Sequence, residues 1–167
     1  MYDSFFIADT HFNHARIIEY CKRPFSSAKE MNETIIKNWN DIVKPKDYVY
    51  HLGDFGWGNC SSIFNRLNGH KFLLKGSHEK DNLRHPWSWV KCCYGLNING
   101  EYIWLSHRPH RAWQRSFHGS WHLFGHVHGK LPPYGKSFDI GVDCWSFRPV
   151  HFDEIKLEMD KLSKIEV

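Results

Sequence analysis

The chain has 167 residues, 41% apolar and 24% charged, with 22 Lys and Arg against 18 Asp and Glu. This composition specifies a globular domain with a real core, and the net charge of +4 fits an anionic substrate. The longest purely apolar run is about four residues, Phe5 to Ala8, which excludes a transmembrane helix, and the acidic start lacks the pattern of a secretory signal, so a cytoplasmic protein is expected.

The predicted elements begin with Ser4 to Ala8, a short apolar run that reads as a buried strand and stops at Asp9, where the chain turns polar. Ala15 to Cys21 reads as a short helix. Ser27 and Glu30, three apart, are a capping-box signature for a second helix. Met31, Ile35, Ile36, Trp39 and Val43 recur at helical spacing on its buried face, and Lys44-Pro45 ends it. Tyr48 to Leu52 is a second strand running into Gly53-Asp54. Ser61 to Leu67 reads as helix, and Lys71 to Leu74 as a third strand running into Gly76-Ser77-His78-Glu79. This alternation predicts a sheet covered by crossover helices.

The second half is richer in strand. Leu96 to Ile98 and Tyr102 to Leu105 flank Asn99-Gly100, a type I′ hairpin signal because both turn residues need positive φ. The second of these strands ends at Ser106-His107. Trp121 to Phe124 is a strand ending at Gly125-His126, Phe138 to Val142 is a further strand, and Asp153 to Ser163 a final helix. Sheet in both halves suggests two sheets packed face to face with helices outside. No repeat, low-complexity tract or linker divides residues 1–167, so one domain is expected. The five cysteines lack zinc-finger spacing and read as free thiols.

Thirteen histidines in a chain of this length call first for a test of metal ligation. Five predicted strands end on metal-capable side chains: Asp9-Thr10-His11, Asp54, His78, His107 and His126-Val127-His128. Open α/β sheets bind ligands beyond the carboxyl ends of their strands. Loops from several strands would therefore gather Asp9, His11, Asp54, His107, His126 and His128. Two carboxylates and four imidazoles exceed the needs of one ion and point to two, with Asp54 able to bridge them. The mixed donor set suits divalent transition metals, manganese first and iron, nickel or zinc after it, better than magnesium or calcium. Such a pair of ions clamps the attacking and leaving oxygens of a displacement at phosphorus.

The blocks Asp9-x-His11, Gly53-Asp54, Gly76-x-His78-Glu79, His107 and Gly125-His126-x-His128 run in the order and spacing of the calcineurin-like metallophosphoesterases, which the chain resembles over residues 3 to 150. Phe12-Asn13-His14, Tyr20 to Phe25 and His51 to Phe55 look like the small bacterial and phage branch. The resemblance implies a four-layer α/β/β/α sandwich. It implies one ion held by Asp9, His11, Asp54 and His128, and a second held by Asp54, residue 77, His107 and His126. It makes His78 the group that stabilises the transition state and protonates the leaving oxygen. The family usually has Asn where this chain has Ser77. Ligation through water, a weak second site and a substitution introduced to slow turnover are all open.

The same context suggests that His14 and Arg23 contact phosphate. Residues 107–122 are basic and aromatic, with Arg108, Arg111, Arg115, Trp113 and Trp121. They read either as a groove wall, arginines on phosphates and tryptophans on bases, or as a loop tucked onto the sheet by its tryptophans. The expected function is hydrolysis of a phosphomonoester or phosphodiester, with nucleotides and nucleic acids inside the substrate class and no membrane partner. The alternative is a phosphate- or nucleic-acid-binding protein on the same fold, weakened as a catalyst by Ser77. A β-lactam-type metalloenzyme is disfavoured because His-x-His-x-Asp-His is absent. Oligomeric state is not specified by these patterns.

Overall fold

The computed structural model describes residues 2–166. In chain order its elements are β1 (Ser4–Ile7), α1 (Ala15–Tyr20), α2 (Ala28–Ile42), β2 (Tyr48–His51), α3 (Ser61–Phe64), β3 (His70–Leu74), β4 (Val90–Lys91), β5 (Cys93–Ile98), β6 (Glu101–Ser106), β7 (Trp121–Phe124), β8 (Ser137–Asp139), β9 (Val150–His151) and α4 (Phe152–Met159). The first sheet has the order β4-β3-β2-β1-β9, with β1 to β4 parallel and β9 antiparallel at the edge. The second runs β5-β6-β7-β8. Its β5–β6 hairpin is antiparallel, and β6, β7 and β8 are parallel.

Alternation along the strands sorts the core into two layers. Phe5, Ile7, Val49 and Leu73 face the helices and pack with Ile17, Ile35, Trp39 and Ile63. Phe6, Ala8, Leu52 and Leu74 face the other way and meet Ile103, Leu105, Leu123 and Phe138 of the second sheet. α4 adds Phe152, Ile155 and Met159 to this inter-sheet layer. On the outer face of the second sheet, Trp113 packs against His122, and Trp104 hydrogen-bonds to His110. The fourth layer is therefore a segment that includes a short 3-10 turn, Ser116–His118. The molecule is an α/β sandwich of two mixed sheets flanked by helices. No helix among the described residues is long and apolar enough to cross a membrane.

Local chemistry explains where boundaries differ from expectation. The predicted strand over Phe138–Val142 stops at Asp139, whose carboxylate turns back onto the Gly129 and Gly141 amides; Val142–Cys144 is a 3-10 turn instead. The helix expected over Ser61–Leu67 keeps only Ser61–Phe64, and the final helix ends at Met159 rather than Ser163. Ser27 caps α2 through the Glu30 amide, but the Glu30 carboxylate reaches Ser26 rather than closing the box. Asn99 and Gly100 both have positive φ, as the hairpin requires. All five cysteines are free.

Two fully buried histidines stitch the layers together as neutral imidazoles. Ser106 Oγ gives its proton to Arg108 O, so it accepts from His122 Nε2, and Ser137 Oγ donates to His122 Nδ1 at 2.9 Å. Thr10 Oγ1 gives its proton to Phe55 O and accepts from His51 Nε2, while Gly53 N donates to His51 Nδ1. Burial pushes the pKa of each from 6.5 to about 3. The unfolded chain therefore binds protons that the folded chain refuses. Their stabilising contribution is full above about pH 6.5 and is lost as pH falls toward 3. Urea midpoints of the metal-free protein should fall through this window, and the fall should be shallower in His122→Asn, by at most about 1.4 kcal/mol per pH unit. An unchanged slope in that variant would show that His122 is not buried neutral.

Candidate metal centre

The parallel strands β1, β2 and β3 and the parallel strands β6, β7 and β8 deliver their carboxyl ends to one rim. Backbone hydrogen bonds tie the loops together there. Asp9 N donates to Gly53 O and His11 N to Asp54 O, both at 3.0 Å, and Gly125 N donates to His107 O at 2.9 Å. The two sheets meet at a parallel bridge between Ala8 and Gly141. Asp9, His11, Asp54, His126 and His128 all have φ between 50° and 73°. This left-handed region costs an L-residue roughly 1–2 kcal/mol, and Asp and His enter it more readily than bulkier residues. The conformation turns each side chain back toward the rim. Gly125 and Gly141 make room for it. A Cβ would stand 2.7 Å from Asp9 Oδ2 at Gly125 and 2.8 Å at Gly141.

Of three groups of potential ligand atoms among the described residues, each within 4.8 Å of one another, one joins Cys21, His128 and Asp143, and the other two are Asp9, His11 and His128, and Asp54, His107 and His126. Asp54 links them. Its Oδ1 accepts from the backbone amides of Ser77 at 2.6 Å and His78 at 3.1 Å. Its Oδ2 stands 3.6 Å from His11 Nε2 and 3.4 Å from His107 Nε2. The other ring nitrogens are already assigned. His107 Nδ1 donates to Leu52 O and His128 Nδ1 to Asp143 Oδ2, both at 2.8 Å. Each bond leaves Nε2 with a lone pair turned inward.

The electrostatics fit cations. Asp9 Oδ1, His11 Nε2 and His107 Nε2 are buried without a hydrogen-bond partner, and such an orphaned group costs about 1–3 kcal/mol. A pair of divalent ions would satisfy all three. Burial, partly offset by His128 and His107, pushes the Asp9 carboxyl up to about 7. Burial pushes the His11 imidazole down to about 2, which keeps its lone pair free. Burial alone would raise Asp54 too, but the adjacent His107 imidazole first, then that of His11 and the Ser77 amide, hold it below the carboxylate range. Burial would lower His107 and His128, and their carboxylate neighbours, Asp54 and Asp143 respectively, raise them instead.

The remaining predicted residues separate. His14 and His78 line a cavity of about 700 Å³ over the two groups, together with Trp57, Arg16 and Tyr20. His14 Nδ1 is 3.3 Å from His11 Nδ1, and the His78 ring lies 5.9 Å from that of His11. Ser77 is exposed and its hydroxyl accepts from Arg108 Nη2 at 3.2 Å. Arg23, expected to face phosphate, is instead buried. Its guanidinium donates to Asp9 O, Thr10 O and both Asp143 oxygens, so it braces the first loop. Trp113 and Trp121 are also buried, so the reading of residues 107–122 as a base-stacking wall gives way to the loop tucked on its tryptophans. Asp143 was not foreseen. The signal that found the others, an acid just past a strand, applied to it as well, since it directly follows the strand expected over Phe138–Val142.

No protein-family profile matches the chain. Its sequence is 35% identical to the uncharacterized protein MJ1445 of Methanocaldococcus jannaschii, over 94% of this chain and 91% of that protein. AQ665 of Aquifex aeolicus, a solved structure of unknown function, superposes with a TM-score of 0.78 at 25% identity, covering 95% of this chain and all of that one. Yfce, a phosphoesterase from E. coli, gives a TM-score of 0.49 at 15% identity, over 83% and 78% of the two chains.

Asp143 tests the centre from behind His128, whose Nδ1 it accepts from. Asp143→Asn should weaken Mn²⁺ binding about 10- to 100-fold, measured by isothermal titration calorimetry, with an unchanged far-ultraviolet spectrum. Equal affinity in the two proteins would remove His128 from the ligand set.

Proposed function

We propose that the chain, which belongs to one family with MJ1445, is a calcineurin-like metallophosphoesterase, a cytoplasmic enzyme that hydrolyses phosphomonoester or phosphodiester bonds at a dinuclear metal centre. The observation that carries the proposal is the position of Asp54 Oδ2 between two orphaned imidazole nitrogens, one from each ligand group. When bound, a pair of divalent ions neutralises phosphoryl charge and makes hydroxide available near neutral pH, manganese being the ion that this donor set suits first.

The chain's own residues divide the remaining work. Asp9, His11, His128 and Asp54 would hold one ion, and Asp54, His107 and His126 the other. The amides of Ser77 and His78 fix the Asp54 carboxylate so that one oxygen stays directed at both. His78, exposed at the cavity, is the group to donate a proton to the leaving oxygen. His14, in the cavity, and Arg108, beside Ser77, are the groups to meet phosphoryl oxygens. Nucleotides and nucleic acids fall within the substrate class.

Ser77 motivates a second reading, a phosphate- or nucleic-acid-binding protein with little turnover. Its hydroxyl is held by Arg108 and is a poorer donor to a cation than an amide oxygen would be.

Addition of Mn²⁺ should give hydrolysis of p-nitrophenyl phosphate or its bis-ester. A chelator and Asp54→Ala should each lower the rate at least about a hundredfold. Activity that survives both changes contradicts the mechanism. Ser77→Asn separates the two readings: a large gain in turnover marks a slowed catalyst, whereas ligand binding without turnover in either form supports the binding protein.

A further inference from the structure

Trp57 is the side chain that neither the fold nor the ligand groups account for. Of the eight tryptophans it alone exposes more than half of its surface, at 54%, whereas Trp39 and Trp121 are fully buried. It is nonetheless held. Its amide donates to Phe12 O at 2.7 Å, and the adjacent Gly56 bridges to Phe12. The indole stacks on His14 with ring centroids 4.9 Å apart and planes 21° apart, and it stands 5.5 Å from the His78 ring. One face is thus covered by an imidazole of the cavity, and solvent reaches the other.

A rigid indole exposed beside a polar centre has a chemical use. Leaving an aromatic ring in water forgoes the stabilisation of burying it, and a flat ligand stacked on its open face recovers part of that. Every nucleobase offers such a face, and stacking on an aromatic side chain tolerates all of them. The indole is one imidazole away from the candidate ligand groups, about the reach of a sugar between its base and its phosphate. Arg16 lines the same cavity, and Asp54 is the only acid among the lining residues, so an anion meets little repulsion there. Tyr20, 63% exposed, adds a second aromatic edge to the same cavity.

Resting on the phosphoesterase reading, we propose that Trp57 is a stacking platform that selects phosphate esters carrying a nucleobase. The substrate is then a nucleotide or a nucleic-acid end, and the base is read for flatness rather than identity. Trp57 is a specificity residue and takes no part in the chemical step.

Binding separates this proposal from the reaction itself. The probes are a non-hydrolysable phosphonate analogue of AMP and the matching phosphonate of ribose 5-phosphate, titrated calorimetrically into the Mn²⁺-loaded protein. Trp57→Ala should weaken the AMP analogue about tenfold and leave the base-free ligand within about twofold, while Trp57→Phe should restore most of the loss. A single-stranded oligonucleotide with and without one abasic residue at its end extends the comparison. Equal weakening of base-carrying and base-free ligands, or of neither, in both the AMP comparison and the oligonucleotide comparison overturns the platform. Discrimination confined to the oligonucleotide assigns a nucleic-acid end, and discrimination with the AMP analogue a free nucleotide. If the wild-type protein hydrolyses base-free and base-carrying esters with the same KM, the platform fails and the phosphoesterase reading stands. If it binds the AMP analogue through Trp57 but hydrolyses neither, the reaction fails and the platform stands.

Discussion

The structure depends on one carboxylate with two different oxygens. Asp54 Oδ1 is consumed by two backbone amides from the loop after β3, and this fixes the direction of Oδ2. Oδ2 then lies between imidazoles from the first loop, His11, and from the second sheet, His107. A buried carboxylate survives only with compensation of this kind. Because the compensating groups come from three separate loops, the charge of Asp54 sets the distance between elements that share no local sequence.

The surrounding loops are built to hold that arrangement under strain. Five of the six residues in the two ligand groups sit in left-handed backbone, which persists only where neighbours over-determine it. The neighbours are identifiable. Arg23 grips the carbonyls of Asp9 and Thr10, and Asp143 grips both Arg23 and His128. One buried ion pair thus couples the first loop to the segment after β8, although neither partner faces the cavity. The division of labour is physical: exposed polar groups such as His78 and Arg108 are free to meet a ligand, and buried ones such as Arg23 hold the frame.

What was legible in the sequence follows from the same division. Strands announce themselves by apolar runs, and the polar residues at their ends are few and chemically distinctive. Asp9, His11, Asp54, His107, His126 and His128 could therefore be gathered before any coordinates, and the structure does bring them together. The fold class was legible for the same reason. Burial of a charged side chain leaves no local mark, so Arg23 looked like a phosphate ligand when it is a brace. Trp113 and Trp121 allowed two readings, a groove wall or a loop tucked on its tryptophans, because arginines surround them in sequence; alternation along the strand and the turn at Ser116 point them inward. The two-residue strands β4 and β9 are too short to carry a period. Asp143 directly follows the run expected as a strand, but its partners Arg23 and His128 lie 120 and 15 residues away, and its bracing role leaves no local mark.

The span of the first ligand group has a consequence for how the protein comes into being. Asp9 lies near the start of the chain and His128 in its final third, and no part of the group is complete until both have left the ribosome. The second group waits for His126 in the same way. A nascent chain therefore emerges with its early carboxylates and imidazoles unmatched, and a fragment ending before the β7 strand holds neither cluster complete. Where the donors fall along the polypeptide makes both clusters products of nearly the whole chain.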